Sequence, residues 1–264
     1  ELGEHLMRVR TKSGLSGVKS FWVGQFETTE EVEPNNDFKE PQSISLNSTI
    51  EGILENEDID YYLVEAKKGQ RISAEVEGIR LGNSFYDPYL AIMNMDRFEL
   101  SASDDTALLL QDSTTSIVAP EDGKYVILIR ESSYTGNGSC RYRLHVGSFP
   151  RPIAVYPAGG QKGTDLKVNL IGDPMGKSEL TVKLPDSGVS EHKIFSQSDN
   201  LLSPSPNKLR VSNYPNAMEV EPNDNRAQST LVKTTLPVAL NGIINNDGDH
   251  DWFKFTAKKG QRFI

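Results

Sequence analysis

Glu31, Glu33, Asn35, Asn36 and Asp37 carry side-chain oxygens within one seven-residue stretch. Alternate residues of an extended chain point to the same side, so Glu31, Glu33 and Asn35 can converge. Asp58 and Asp60 also alternate, and offer two more carboxylates from a neighbouring strand. Such a set contains only hard oxygen donors. A calcium ion takes about six to eight oxygens, several of them from carboxylates. The chemistry to expect is coordination of Ca2+. The grouping returns later in the chain as Glu219, Glu221, Asn223, Asp224, Asp249 and Asp251. A plainer reading fits the same residues: a solvated acidic linker, with the aspartates fixing a turn.

Other chemistries find little in the sequence. The run from Asn245 to Asp251 invites comparison with an EF-hand loop, which needs glycine at its sixth position. Counted from Asp247 that position is Trp252, and counted from Asn245 it is His250. There is no Gly-x-Ser-x-Gly, His-Glu-x-x-His or Gly-x-Gly-x-x-Gly. His5, His145, His192 and His250 are dispersed. Cys140 is the only cysteine, so no intrachain disulfide and no cysteine-based zinc site can form. The chain is expected to be non-catalytic. Phe85, Tyr86, Tyr89, Phe98 and Tyr134 offer an aromatic platform for a sugar or an extended peptide, although packing in a core or turn is the commoner fate of such residues.

The acidic groups sit within a long repeat. Glu31-Val32-Glu33-Pro34-Asn35 returns as Glu219-Val220-Glu221-Pro222-Asn223, and Asp58-Ile59-Asp60-Tyr61-Tyr62 as Asp249-His250-Asp251-Trp252-Phe253. Residues 66–71 return unchanged as 257–262. A period this long means repeated domains rather than a solenoid unit. The second copy stops where the first continues, so the 264 residues read as a fragment of a larger multidomain protein, with incomplete β pieces at both ends.

Short alternating segments predict strands at 48–54, 61–66, 71–76, 89–95, 115–119, 125–131 and 140–146. Turn chemistry separates them, as at Lys68-Gly69 and Asp122-Gly123. No segment predicts a helix of three turns. The fold class expected is all-β: an antiparallel, jelly-roll-like sandwich plus a small Ig-like β module. The expected organisation is a closing hairpin of an incomplete Ig-like domain at 1–24, an acidic linker at 25–43 and the sandwich at 44–147. The Ig-like module follows at 148–213, and an incomplete second sandwich at 214–264.

The balance of 28 basic against 37 acidic residues, a net charge of −9, argues against a nucleic-acid partner, which calls for clustered Lys and Arg. No apolar run reaches 18 residues, so no membrane span is expected in this segment.

Together, Glu31 to Asn35, Asp58 to Tyr62, Gly69, Asp122-Gly123-Lys124-Tyr125 and Tyr142-Arg143-Leu144 resemble the bacterial pre-peptidase C-terminal domain. The match covers about residues 31–147, and 219–264 as a shortened copy. The segment 148–213, with Pro157-Ala158-Gly159-Gly160 and Lys162-Gly163-Thr164, resembles an Ig-like domain of the IPT/TIG type, and Phe21-Trp22-Val23-Gly24 resembles the close of another. The first resemblance implies a jelly-roll-like sandwich found on secreted proteases and in large exported proteins. Its collagen-binding relatives hold calcium on the corresponding acidic segment, which implies the same here. The expected function is a structural or binding region of a secreted, periplasmic or cell-surface protein, possessing a calcium site and contacting neighbouring domains of its own chain. Two alternatives stay open: an accessory region of a secreted peptidase, serving secretion or substrate binding, and a module that binds a protein or polysaccharide ligand.

Overall fold

The computed structural model describes residues 2–107 and 109–263. Glu1 and Ile264, the outer limits of the segments 1–24 and 214–264, lie outside the described residues. The chain forms two units. One runs to Ile153 and takes in Gly172–Gly176 and Phe195–Pro206; the other comprises Ala154–Ile171, Lys177–Ile194 and the chain from Asn207 onward. The protein is all-β. Among the described residues the sole helical element is one 3-10 turn, Ile79–Leu81.

The first unit opens with the antiparallel pair β1 (Gly3–Met7) and β2 (Lys19–Val23). Ten strands then build a sandwich: β3 (Glu27–Glu30), β4 (Gln42–Ser43), β5 (Ser48–Ile53), β6 (Ile59–Ala66), β7 (Arg71–Glu77), β8 (Pro88–Met93), β9 (Glu99–Ser103), β10 (Thr114–Val118), β11 (Gly123–Glu131) and β12 (Arg141–Gly147). One sheet has the order β9-β8-β11-β6-β4, the other β10-β7-β12-β5-β3. Pairing is antiparallel except at one edge of each sheet, where β3 runs parallel to β5 and β4 parallel to β6.

The alternation in the sequence sorts the side chains. Tyr62 and Val64 of β6, Ile72 and Val76 of β7, Leu90 and Ile92 of β8, Ile127 and Ile129 of β11, and Tyr142 and Leu144 of β12 share one core between the sheets. Burying each large apolar side chain contributes about 1.5–3 kcal/mol. The unbroken run Tyr125-Val126-Ile127-Leu128-Ile129 is buried on both faces of its sheet. Val126 and Leu128 point away from the main core and pack with Phe38, Ala91 and Met93. That second layer explains why a central strand here does not alternate.

Residues 31–41 join β3, at the edge of one sheet, to β4, at the edge of the other. The acidic stretch is therefore a strap across the open side of the sandwich, anchored by a parallel strand at each end and by Phe38.

In the second unit, β13 (Ala154–Tyr156), β15 (Asp165–Ile171) and β16 (Ser178–Lys183) form one three-stranded sheet, and β14 (Gly159–Gln161), β18 (Asn207–Ser212) and β17 (Glu191–Ile194) another. Val155, Val168, Leu170, Val182, Leu184, Ile194 and Leu209 fill the space between them. Further on, Asn216–Met218 pairs in parallel with Ala239–Asn241, and Thr230–Leu231 in parallel with Phe253–Lys254. These are the counterparts of the β3/β5 and β4/β6 pairs. Trp252 and Phe255 are exposed there.

Candidate metal centre

The strap places its residues through backbone bonds. Glu31 N–H donates to Glu51 O at 3.0 Å, which continues the β3/β5 pairing by one residue. The Glu31 side chain then turns inward, and its Oε1 accepts the Ile53 N–H at 2.8 Å. Asn35 N–H donates to Glu33 Oε2 at 2.9 Å, while Asn35 O accepts from Tyr61 N–H at 3.1 Å. Asp58 Oδ2 caps the turn before β6 by accepting Glu55 N–H at 3.1 Å. Asp60, fully buried, comes from β6 itself. Carboxylate oxygens of Glu33, Asp58 and Asp60 all lie within 4.8 Å of one another.

The second copy repeats these bonds. Glu219 N–H donates to Asn241 O at 2.9 Å, and Glu219 Oε1 accepts Ile243 N–H at 2.8 Å. Asn223 N–H donates to Glu221 Oε2 at 2.8 Å, Asn223 O accepts Trp252 N–H at 3.0 Å, and Asp249 Oδ2 accepts Asn245 N–H at 2.7 Å. Here Glu219, Glu221 and Asp251 bring oxygens within 4.8 Å of one another.

The electrostatics of the first cluster are one-sided. Among the described residues, no Lys or Arg pairs with Glu31, Glu33, Asp58 or Asp60. Burial pushes the Asp60 carboxyl up to about 8; the Tyr142 hydroxyl opposes this, and Asp58, Glu31 and Glu33 add repulsion. Burial also raises Glu31, against the Ile53 amide and Tyr142, with Glu33 and Asp58 adding to the rise. Glu219 is raised by burial as well, with Asp251 and Glu221 contributing.

Several buried oxygens in these clusters have no partner: Asn35 Oδ1 and Asp60 Oδ1 in the first, and Glu219 Oε2, Asn223 Oδ1, Asp249 Oδ1 and Asp251 Oδ1 in the second. All are acceptors, in residues the sequence singles out for their oxygens.

Asn36, Asp37 and Asp224 are exposed and stand outside the two carboxylate groups. Asp37 Oδ1 turns back to accept Lys39 N–H at 3.0 Å, which makes it a turn-fixing residue in this structure. Of the aromatic residues, Tyr86 is buried and donates its hydroxyl to Arg141 O at 2.7 Å. Tyr89 and Tyr134 flank the Arg130 guanidinium, at 4.2 and 4.4 Å from their ring centres. Phe85 and Phe98 are exposed.

The geometry adds residues that the sequence reading missed. A Cβ on Gly52 would overlap the Glu31 carboxylate and the Tyr142 ring, and one on Gly242 would overlap the Asp251 and Glu219 carboxylates. Both glycines leave room for carboxylates, and the signal was present as Gly-Ile at matching places in the two copies. Tyr142 and Tyr62 stand behind the first cluster, Tyr142 Oη lying 3.1 Å from Glu31 Oε2.

No protein-family model and no curated protein matches the chain. Solved structures do share local similarity with it. The pre-peptidase C-terminal domain of collagenase from Bacillus anthracis is 19% identical over 40% of this chain and 94% of that one, with a TM-score of 0.32. PliG of Aeromonas hydrophila, a periplasmic inhibitor of g-type lysozyme, is 14% identical over 40% of this chain and 95% of its own, at 0.29. CorA of Methylomicrobium album BG8, a surface-associated copper-binding protein, is 8% identical over 40% and 98%, at 0.30. These likenesses concern backbone arrangement and carry nothing about activity or ligands.

Proposed function

We propose that this chain is a non-catalytic, calcium-stabilised binding and presentation region of an extracytoplasmic multidomain protein, in which pre-peptidase C-terminal-type sandwiches alternate with Ig-like modules. Glu31, Glu33, Asn35, Asp58 and Asp60 hold one Ca2+, and Glu219, Glu221, Asn223, Asp249 and Asp251 hold another. The observation behind this reading is the set of buried acceptor oxygens without donors, gathered on these residues in both copies. Each such atom costs about 1–3 kcal/mol when left unmatched, and a dication satisfies several at once. A donor set of oxygens alone, with no histidine or cysteine, suits Ca2+ rather than zinc or copper. Calcium sites of extracellular modules work at roughly 10⁻⁴–10⁻³ M, and a site of that kind fits an extracytoplasmic chain. The motif resemblance of residues 31–147 to exported domains supports the same location.

Calorimetric titration of the whole chain with CaCl2 tests the reading, alongside thermal melting. Two binding events and a rise in melting temperature are expected, because a ligand bound only by the folded state stabilises it by mass action. Glu33→Ala should remove one event and Glu221→Ala the other. A chain that gives neither heat nor thermal shift with calcium rejects the proposal.

A further inference from the structure

Behind the first cluster, the hydroxyl oxygens of Tyr62 and Tyr142 lie 2.5 Å apart, and Tyr142 Oη lies 2.5 Å from Asp60 Oδ2. Asn35 Nδ2 lies 3.4 Å from Tyr62 Oη. All four residues are at most 1% exposed, so solvent does not compete for these bonds. Each hydroxyl has one proton to give. Asp60, as a cation ligand, is ionised and can only accept, so Tyr142 donates to it. The Tyr142 oxygen is then left to accept the proton of Tyr62. With that proton committed, Tyr62 Oη accepts from Asn35, which holds the amide nitrogen inward. The Asn35 carbonyl oxygen must face the other way, and it is one of the two unpartnered oxygens of the first cluster; Asp60 Oδ1 is the other.

We infer that Tyr62 and Tyr142 are positioning residues: their hydroxyls form one directional chain of hydrogen bonds that turns the Asn35 carbonyl and the free oxygen of Asp60 towards the same cation. This inference rests on the calcium reading of the cluster. The second copy supplies the contrast. Phe253 stands where Tyr62 does, and Asn223 Nδ2 instead donates to Thr230 Oγ1 at 3.3 Å, whose own proton goes to Val220 O at 3.3 Å. Among the described residues no hydroxyl chain links Asn223 to Asp251 there, because Phe253 has no hydroxyl to relay the bond.

The test uses the full 264-residue chain with Asp251→Asn to silence the second cluster. In calcium calorimetry, Tyr62→Phe should weaken binding about 10–100-fold, the usual consequence of losing an outer partner of a metal ligand. Asn35→Ala combined with Tyr62→Phe should lose no more than Asn35→Ala alone, because both cut the same chain. An unchanged Kd in Tyr62→Phe, or fully additive losses in the double variant, overturns the inference. A second measurement needs no metal. In 15N-resolved NMR of the calcium-free protein at about pH 9, where Asp60 is ionised without a cation, the Asn35 side-chain amide should shift in Tyr142→Phe, a residue it does not touch, through the altered proton of Tyr62. An Asn35 amide that stays put overturns the chain. A parent protein without calcium heat overturns instead the metal reading, and the NMR result then judges the chain alone.

Discussion

Arg71 grips a single oxygen of Asp173, with Nε at 3.0 Å and Nη2 at 2.9 Å from Oδ1. The other oxygen of Asp173 accepts the backbone N–H of Arg151 at 2.8 Å. Arg151 pairs through Nε with Glu75, which is fully buried and also takes Ser205 Oγ–H and, at 3.2 Å, Arg80 Nη2. These contacts account for Gly172–Gly176 and Phe195–Pro206 folding with the first unit, although both segments lie in the stretch that the sequence assigns to the Ig-like module. Buried ion pairs add little net stability over apolar packing, but they penalise any arrangement that separates the partners.

Glu75→Ala should therefore destabilise the first unit by about 3–5 kcal/mol, since it strands the buried Arg151 without a carboxylate, while Arg80 keeps Asp112. Urea denaturation followed by circular dichroism measures this. Lys67→Ala, at an exposed pair with Asp122, should leave the midpoint where it is. Equal effects from the two substitutions would contradict the assignment.

The same cluster sets an acid limit. Burial alone would raise Glu75 and Glu77, but Arg151 and Arg80 outweigh it at Glu75, and His145, Arg80 and Arg143 at Glu77, so both stay below the ordinary glutamate range. Their folded state binds fewer protons than the unfolded chain. The resulting stability is complete above the unfolded value of about 4.3 and is lost as pH falls through the lower folded values. Scanning calorimetry in saturating calcium should show the melting temperature falling below about pH 4. In Glu75→Gln/Glu77→Gln that fall should be shallower, from a lower plateau.

Protons should compete with calcium at Asp60. With a folded pKa of about 8, the cation-free protein holds a proton there that the unfolded chain releases near pH 4. Asp60 therefore weakens the cation-free fold progressively as pH climbs from about 4 to 8, and calcium must displace the proton to bind. Affinity at the first cluster should rise up to tenfold per pH unit between about pH 6 and 8, then level off. Calorimetry in buffers of different ionisation enthalpy should find about one proton released at pH 7. A pH-independent Kd over that window counts against the ligand role of Asp60.

Gly52→Ala and Gly242→Ala test the room left for the carboxylates. The added methyl would collide with Glu31 and Tyr142 in one copy and with Asp251 and Glu219 in the other. Overpacking of this kind costs about 1–3 kcal/mol, and each substitution should weaken the calcium response of its own cluster only. Melting curves with and without calcium separate the two effects.

The strands were readable because apolar residues alternate: Ile72, Ala74 and Val76, and Cys140, Tyr142, Leu144 and Val146, fall at every second place and enter the core. Glu27–Glu30 was not, since all four of its residues are exposed and polar and only pairing with β5 makes it a strand. The carboxylates of the site were visible in their spacing, whereas Asp37 resembled them in type and differs only in turning back onto Lys39. Tyr62 and Tyr142 were legible only as members of the family motif, and the meeting of their hydroxyls was not, because they stand 80 positions apart in the chain. The clasp around Glu75 was hidden for the same reason.

The register around Ser48 has a mechanical consequence. Glu27, at the start of the sandwich, and Val146, near its close, are both paired with Ser48, on opposite sides of it. The chain arrives and departs two strand spacings apart, about 10 Å. Tension applied through the protein would cross that short gap and load the bonds at Ser48, leaving the rest of the sandwich slack. Such a body adds almost nothing to the reach of the molecule it belongs to. It hangs from the line of force as a pendant, and its strap stays available while the chain is stretched.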